Sequence, residues 1–170
     1  MVKTRIFFLW QDEAEEIWLQ EMSQQGWHFK SIDLFGKYSF TKGEPKSYVY
    51  RLDYQVQQET EKASYLQLFA DAGWEHLQDW SGWQYFRKEV EPGQTAEIFT
   101  NTESKIAKYN RILALWILLT PTYVIYLTTI VPDHHTTFLT VISIFFTLIL
   151  LLYVYVTIRV LIRIGQLKRK

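Results

Sequence analysis

Cysteine is absent from the 170 residues. That excludes disulfides, thiolate catalysis and cysteine-based zinc sites, and it fits a reducing compartment. Catalytic signatures are missing too: the chain has no GxGxxG, no GxxxxGK[ST], no HExxH and no GxSxG. The expectation is therefore a non-enzymatic protein without cofactor or metal. Acidic residues nearly vanish from the C-terminal part. After residue 111 Asp133 stands alone against Arg159, Arg163, Lys168, Arg169 and Lys170. Residues 1–100 show the reverse, with 10 Lys/Arg against 16 Asp/Glu. A formal net charge of zero thus hides an acidic half joined to a base-flanked apolar half. The acidic half argues against direct nucleic-acid binding, which needs clustered Lys and Arg to neutralise phosphates.

The apolar half holds two runs without a charge, twenty residues from Ile112 to Val131 and twenty-one from Phe138 to Ile158. About twenty apolar residues in a helix cross a hydrocarbon core of roughly 30 Å. Lipid offers no partner for backbone groups, so each span must be helical. Pro121 lies within the first span, with Thr120 and Thr122 beside it to satisfy freed backbone groups. Between the spans stands only "PDHHTT" (132–137), which forces a hairpin. Bases flank the spans on one side: Lys105, Lys108 and Arg111 before the first, Arg159, Arg163 and the "KRK" end after the second. The positive-inside rule then puts both termini in the cytoplasm of a multi-pass cell-membrane protein. His134 and His135, with Asp133, read as a polar cap on the external loop rather than a metal site, since adjacent histidines point apart.

The acidic half repeats itself. Gly26-Trp27 follows Trp18-Leu19 by eight residues, and Gly73-Trp74 follows Tyr65-Leu66 by the same distance. Each glycine falls where a helix needs a left-handed residue at its C-terminal end, and each tryptophan opens the next strand. The Schellman pattern pairs Trp27 with Met22 and Trp74 with Phe69. Upstream, "DEAEEIWLQEMSQQ" (12–25) reads as a helix opening on a capping box of Asp12 and Glu15. Glu13, Glu15 and Glu16 form a charge cluster suited to the helix dipole. Ala14, Trp18, Met22 and Gln25 form one ridge, widened by Ile17 and Leu19. Around each helix the order is strand, helix, strand, strand, with Gly36 and Gly82 at equivalent turns. The expected fold is α+β, a two-layer sandwich from a duplicated strand-helix-strand-strand unit of ferredoxin-like type, followed by a transmembrane hairpin. We expect six mainly antiparallel strands in one sheet with both helices on one face.

Four ordered blocks then stand out: "DEAEEIWLQEMSQQGWHF", "GEPKSYVYRLDY", "YLQLFADAGWEH" and "WQYFRKE…AEIFTNTESKIAKYNRI". Together they resemble the bacterial domain of unknown function 2812 family over residues 1–111. No activity is established for that family, so it carries no catalytic residues over. The resemblance implies C-terminal membrane spans and genomic company with PadR-like winged-helix repressors, hence a regulatory protein partner.

The expected organisation is a cytoplasmic α+β domain over 1–100, a juxtamembrane helix over 101–111, spans at 112–131 and 138–158 around an external loop at 132–137, and a basic tail at 159–170. "EPGQT" (91–95) reads as the domain's exit turn, and Thr100 with Glu103 as a capping box for the juxtamembrane helix. Six Trp, seven Tyr and eight Phe crowd residues 1–110, more than a small domain must bury. Trp80, Trp83 and Tyr85 beside the Gly82 turn, with Arg87 in alternation, are candidates for partner binding, because such rings dominate interfaces. The same rings also fit packing on the apolar half. Arg51 and Asp53 share a strand face and, with His28 and Lys30 on another strand, are candidates for a polar ligand or partner patch. Gly26, Trp27, Gly73 and Trp74 are assigned to structure. The expected function is a membrane-anchored interaction or regulatory module. The alternatives are a sensor of an amphipathic small molecule and an accessory subunit of a membrane complex.

Overall fold

The computed structural model describes residues 1–55, 59–91, 102–125 and 137–169. They form two compact units, 1–101 and 102–170. The first contains β1 (Val2–Thr4), α1 (Asp12–Gln24), β2 (Trp27–Ile32), β3 (Lys37–Lys42), β4 (Tyr48–Tyr54), α2 (Glu59–Asp71), β5 (Glu75–Trp80) and β6 (Trp83–Glu89). The second contains α3 (Thr102–Ile125) and α4 (Thr137–Lys168).

Backbone ladders make two three-stranded antiparallel sheets, ordered β1-β3-β2 and β4-β6-β5. In each, two parallel strands flank the antiparallel third, a split β-α-β arrangement. The expected single sheet is interrupted at β2 and β5, which run side by side without a ladder. Both strands carry a register shift, between Phe29 and Ser31 and between His76 and Gln78. Bulges bend a strand and disrupt pairing. The Gln78 side chain fills the gap: its Oε1 accepts from Ile32 N at 2.8 Å and its Nε2 donates to Ile32 O at 3.0 Å. Gln78→Ala strips both backbone groups of their partner, and we expect a loss of about 1–3 kcal/mol. Unchanged thermal melting would show that packing alone holds the seam.

The two helices lie against opposite faces of the second sheet, not one face. Neighbouring residues on a strand point to opposite sides. Val49 and Phe86 form a cluster with Trp74, covered by Tyr65, Leu66 and Phe69 of α2. Tyr50, Leu52 and Tyr85, the alternate positions, are buried on the α1 side. There Trp18, Leu19 and Met22 of α1 meet Phe29, Tyr38 and Phe40 of the first sheet. The Trp18 ring stands edge-on to Tyr38 at 4.9 Å and to Phe40 at 5.6 Å. Ile17, assigned to the buried ridge by periodicity, is exposed.

Both helix ends use left-handed glycines. Gly26 has φ +78° and Gly73 φ +81°. In the second, Gly73 N donates to Ala70 O at 2.9 Å and Trp74 N to Phe69 O at 2.9 Å, the paired bonds of a Schellman ending. In the first, Gly26 N donates to Ser23 O at 3.0 Å. The two sites differ in space. A Cβ on Gly26 would sit 2.6 Å from Gly43 O, whereas one on Gly73 would meet only the end of Lys88 at 3.4 Å. Gly73→Ala should cost about 1–2 kcal/mol from the left-handed backbone alone. Gly26→Ala should cost more, because the 43–45 loop must also shift. Equal losses in a melting comparison would contradict the role of Gly43.

Helix α1 does not start on the expected capping box. Gln11 occupies the cap, its side chain accepts from Phe8 N at 3.0 Å, and no side-chain cap bond forms. In the second unit α3 continues through Pro121 and packs on α4. Thr120 Oγ1 lies 3.0 Å from Tyr153 OH, and Arg163 Nε donates to Tyr109 OH at 3.4 Å. The contact points run in opposite directions along the helices, which makes the pair antiparallel. Among the described residues one helix, over Thr140–Lys168, is long and apolar enough to cross a membrane. The exit turn at 91–95, Thr100 and the loop with Asp133, His134 and His135 fall on residues outside those described, save Glu91.

Candidate functional site

The first unit carries an open groove of about 560 Å³ between β2, the 43–47 loop and the adjoining ends of β4 and β6. Its lining includes His28, Lys30, Thr41, Tyr48, Leu77 and Arg87. Strand alternation and the tight approach of Gly43 build it: a Cβ on Gly43 would lie 2.8 Å from the His28 ring, so any other residue there would force the imidazole to shift.

His28 is held at both nitrogens. Its Nε2 lies 2.9 Å from Glu44 O, a carbonyl that only accepts, so the ring donates through Nε2. Its Nδ1, 3.3 Å from Ser23 Oγ, is then the acceptor. Ser23 Oγ in turn lies 2.7 Å from Tyr50 OH, which takes the Phe29 N–H at 3.4 Å. With neutral His28 every group in this chain has a matching partner, from the buried Tyr50 to the groove wall. Arg87 forks onto Glu75, Nε to Oε2 at 2.6 Å and a terminal nitrogen to Oε1 at 3.0 Å. Its guanidinium also lies 4.6 Å from the Tyr48 ring centre. Lys46 donates to Glu89 at 2.9 Å. The groove therefore offers an aromatic floor and directed polar groups, with most of its positive charge already matched.

Of the sequence candidates, Arg87, His28 and Lys30 line this groove. Arg51 and Asp53 do not. Arg51 pairs with Glu16 at 3.4 Å and donates to Tyr50 O at 2.7 Å, while Asp53 is buried and accepts from Tyr65 OH at 3.0 Å. Trp83 is 6% exposed and Tyr85 is buried, so neither ring has much surface to give a partner; Trp80 is half-buried. Trp83 and Tyr85 thus pack inside the domain.

A second constellation is wholly internal, and the sequence reading missed it. Glu15 and Glu16, assigned to a charge cluster at the helix start, are buried. Glu15 Oε1 accepts from Tyr38 OH and from Tyr85 OH, each at 2.8 Å, so one carboxyl ties α1 to both sheets. Glu16 Oε1 accepts from Leu52 N at 2.8 Å, capping the open edge of β4. Burial pushes the Glu15 carboxyl up from 4.5 to about 7, against the lowering effect of the two phenol bonds, with Asp12 adding to the rise. Burial likewise raises both Tyr38 and Tyr85 above the ordinary tyrosine range, with Glu15 adding its charge.

These elements define a mixed α+β domain with a polar-aromatic groove, followed by an apolar helix of membrane-spanning length. The family described as Protein of unknown function (DUF2812) matches residues 11–120, and the chain belongs to it. Neither a curated protein nor a solved structure matches the chain.

Proposed function

We propose that the chain is a membrane-anchored interaction module, with a hairpin of spans at 112–131 and 138–158, both termini cytoplasmic, and domain 1–100 presenting its groove to a protein partner. One observation carries the anchoring: the 29 residues Thr140–Lys168 form a single apolar helix whose Ile144, Leu148, Leu151 and Leu152 are exposed. Water disfavours so large an apolar surface, and lipid does not. The matching split β-α-β halves, with turn glycines at positive φ in both, support their origin by duplication of a ferredoxin-like unit. A winged-helix regulator of the PadR type is the proposed partner.

A photo-crosslinker replacing Thr41 in the groove, used in intact membranes, tests the interaction. The expected product is a crosslink to such a regulator, absent when the crosslinker replaces Gln67 on α2. No site-dependent crosslink would remove the partner role. The groove's volume also lies within the range of small-molecule sites, which favours a sensor as the second reading. An amphipathic ligand that raises the melting temperature, with no crosslinked protein, would select it.

A further inference from the structure

We infer that the β2–β3 hairpin tip of the soluble unit is a second membrane contact, which inserts Leu34 and Phe35 into the interface of an anionic bilayer. The tip is exposed and apolar. Leu34 is 82% exposed, Phe35 74% and Ile6 72%. Ile6 joins the other two through Gly36: Arg5 N donates to Gly36 O at 2.9 Å, and a Cβ on Gly36 would lie 3.4 Å from Ile6 Cγ1. Hairpin turns ordinarily carry polar residues, so a Leu-Phe pair here has no role in forming the turn. Asp33 forms it instead, its Oδ1 accepting from Phe35 N at 2.8 Å and Lys37 N at 3.0 Å.

Charge selects the occupant. At the tip two exposed bases, Arg5 and Lys37, outnumber Asp33, whose carboxylate is turned to the backbone. Lys37 Nζ lies 5.8 Å from the Phe35 ring centre, and the Arg5 guanidinium lies 4.8 Å from the Phe7 ring centre and 5.2 Å from that of Trp18. Residues 1–100 as a whole are acidic, with 10 bases against 16 acids, and an anionic surface repels the domain elsewhere. Three exposed apolar side chains with a lysine beside them are too few for a stable protein interface but suit insertion at the headgroup–acyl boundary. The inference rests on the proposed anchoring, which keeps the domain within reach of a bilayer.

Because the chain has no cysteine, Leu34→Cys gives a single site for an environment-sensitive fluorophore. The full chain is reconstituted in phosphatidylcholine vesicles with and without phosphatidylglycerol, and Glu61→Cys serves as the exposed control. The expected result is a blue-shifted label at 34, quenched by doxyl groups on lipid acyl chains several-fold more than the label at 61. Lys37→Glu should reduce that quenching in the anionic vesicles. Equal quenching at 34 and 61 in chains that float with the vesicles overturns the tip contact and leaves the anchoring intact. Protection that rises with the protein-to-lipid ratio assigns the tip to a second copy and also overturns it. Failure to float removes the anchoring and the tip contact together.

Discussion

Glu15→Gln should abolish a pH dependence of stability that the parent chain shows between about pH 4.5 and 7. The folded carboxyl holds its proton up to about 7, whereas the ordinary value is 4.5. Across that window the folded chain binds more protons than the unfolded one, so stability falls as pH rises. Below the window both states are protonated and the penalty disappears; above it the penalty is complete. At about 1.36 kcal/mol per pKa unit the rise corresponds to roughly 3 kcal/mol. The amide of Gln keeps an oxygen for Tyr38 and Tyr85 but carries no charge to desolvate. The variant should therefore match the parent near pH 4 and exceed it near pH 8. The groups facing Glu15 are Asp12 from its own helix and the two phenols, which burial keeps from ionising in this range. Denaturant midpoints of the detergent-solubilised chain at several pH values provide the check. A slope that survives in the variant would assign the titration to another group.

Trp83→Ala should lose about 3–5 kcal/mol, as for other buried aromatics replaced by alanine. The ring is 6% exposed, packs edge-on to Tyr54 at 5.3 Å, and sits opposite Trp80 across the β5–β6 turn. Half-buried Trp80 should cost less when truncated. Melting of both variants beside groove crosslinking separates packing from recognition. Intact melting with lost crosslinking in Trp83→Ala would return the ring to the surface role that its composition suggests.

The helix ends were legible because left-handed backbone favours glycine so strongly that Gly26 and Gly73 could be placed without a structure. Strand alternation was legible for the same local reason. The distribution of helices over the sheets was not, because both faces of β4 are buried and only tertiary packing decides which helix covers which. Val49, apolar on the face that also carries Arg51 and Asp53, was the available hint. Glu15 and Glu16 misled because acids in a first helical turn are ordinarily solvated and favoured by the dipole. Their partners Tyr38, Tyr85 and Leu52 lie 23 to 70 residues away, beyond any local pattern. The groove was half visible: His28 and Lys30 could be placed on a strand, but Tyr48 and Arg87 reach them only through the fold.

The proposed helical hairpin would tether this acidic, aromatic-rich domain to the cytoplasmic face of a membrane. Reporter fusions measure it most directly, one after Lys170 and one inserted at His134. Cytoplasmic activity at Lys170 and external activity at His134 are expected, because Lys and Arg flank the proposed spans on one side only. An external reporter at Lys170 would contradict it.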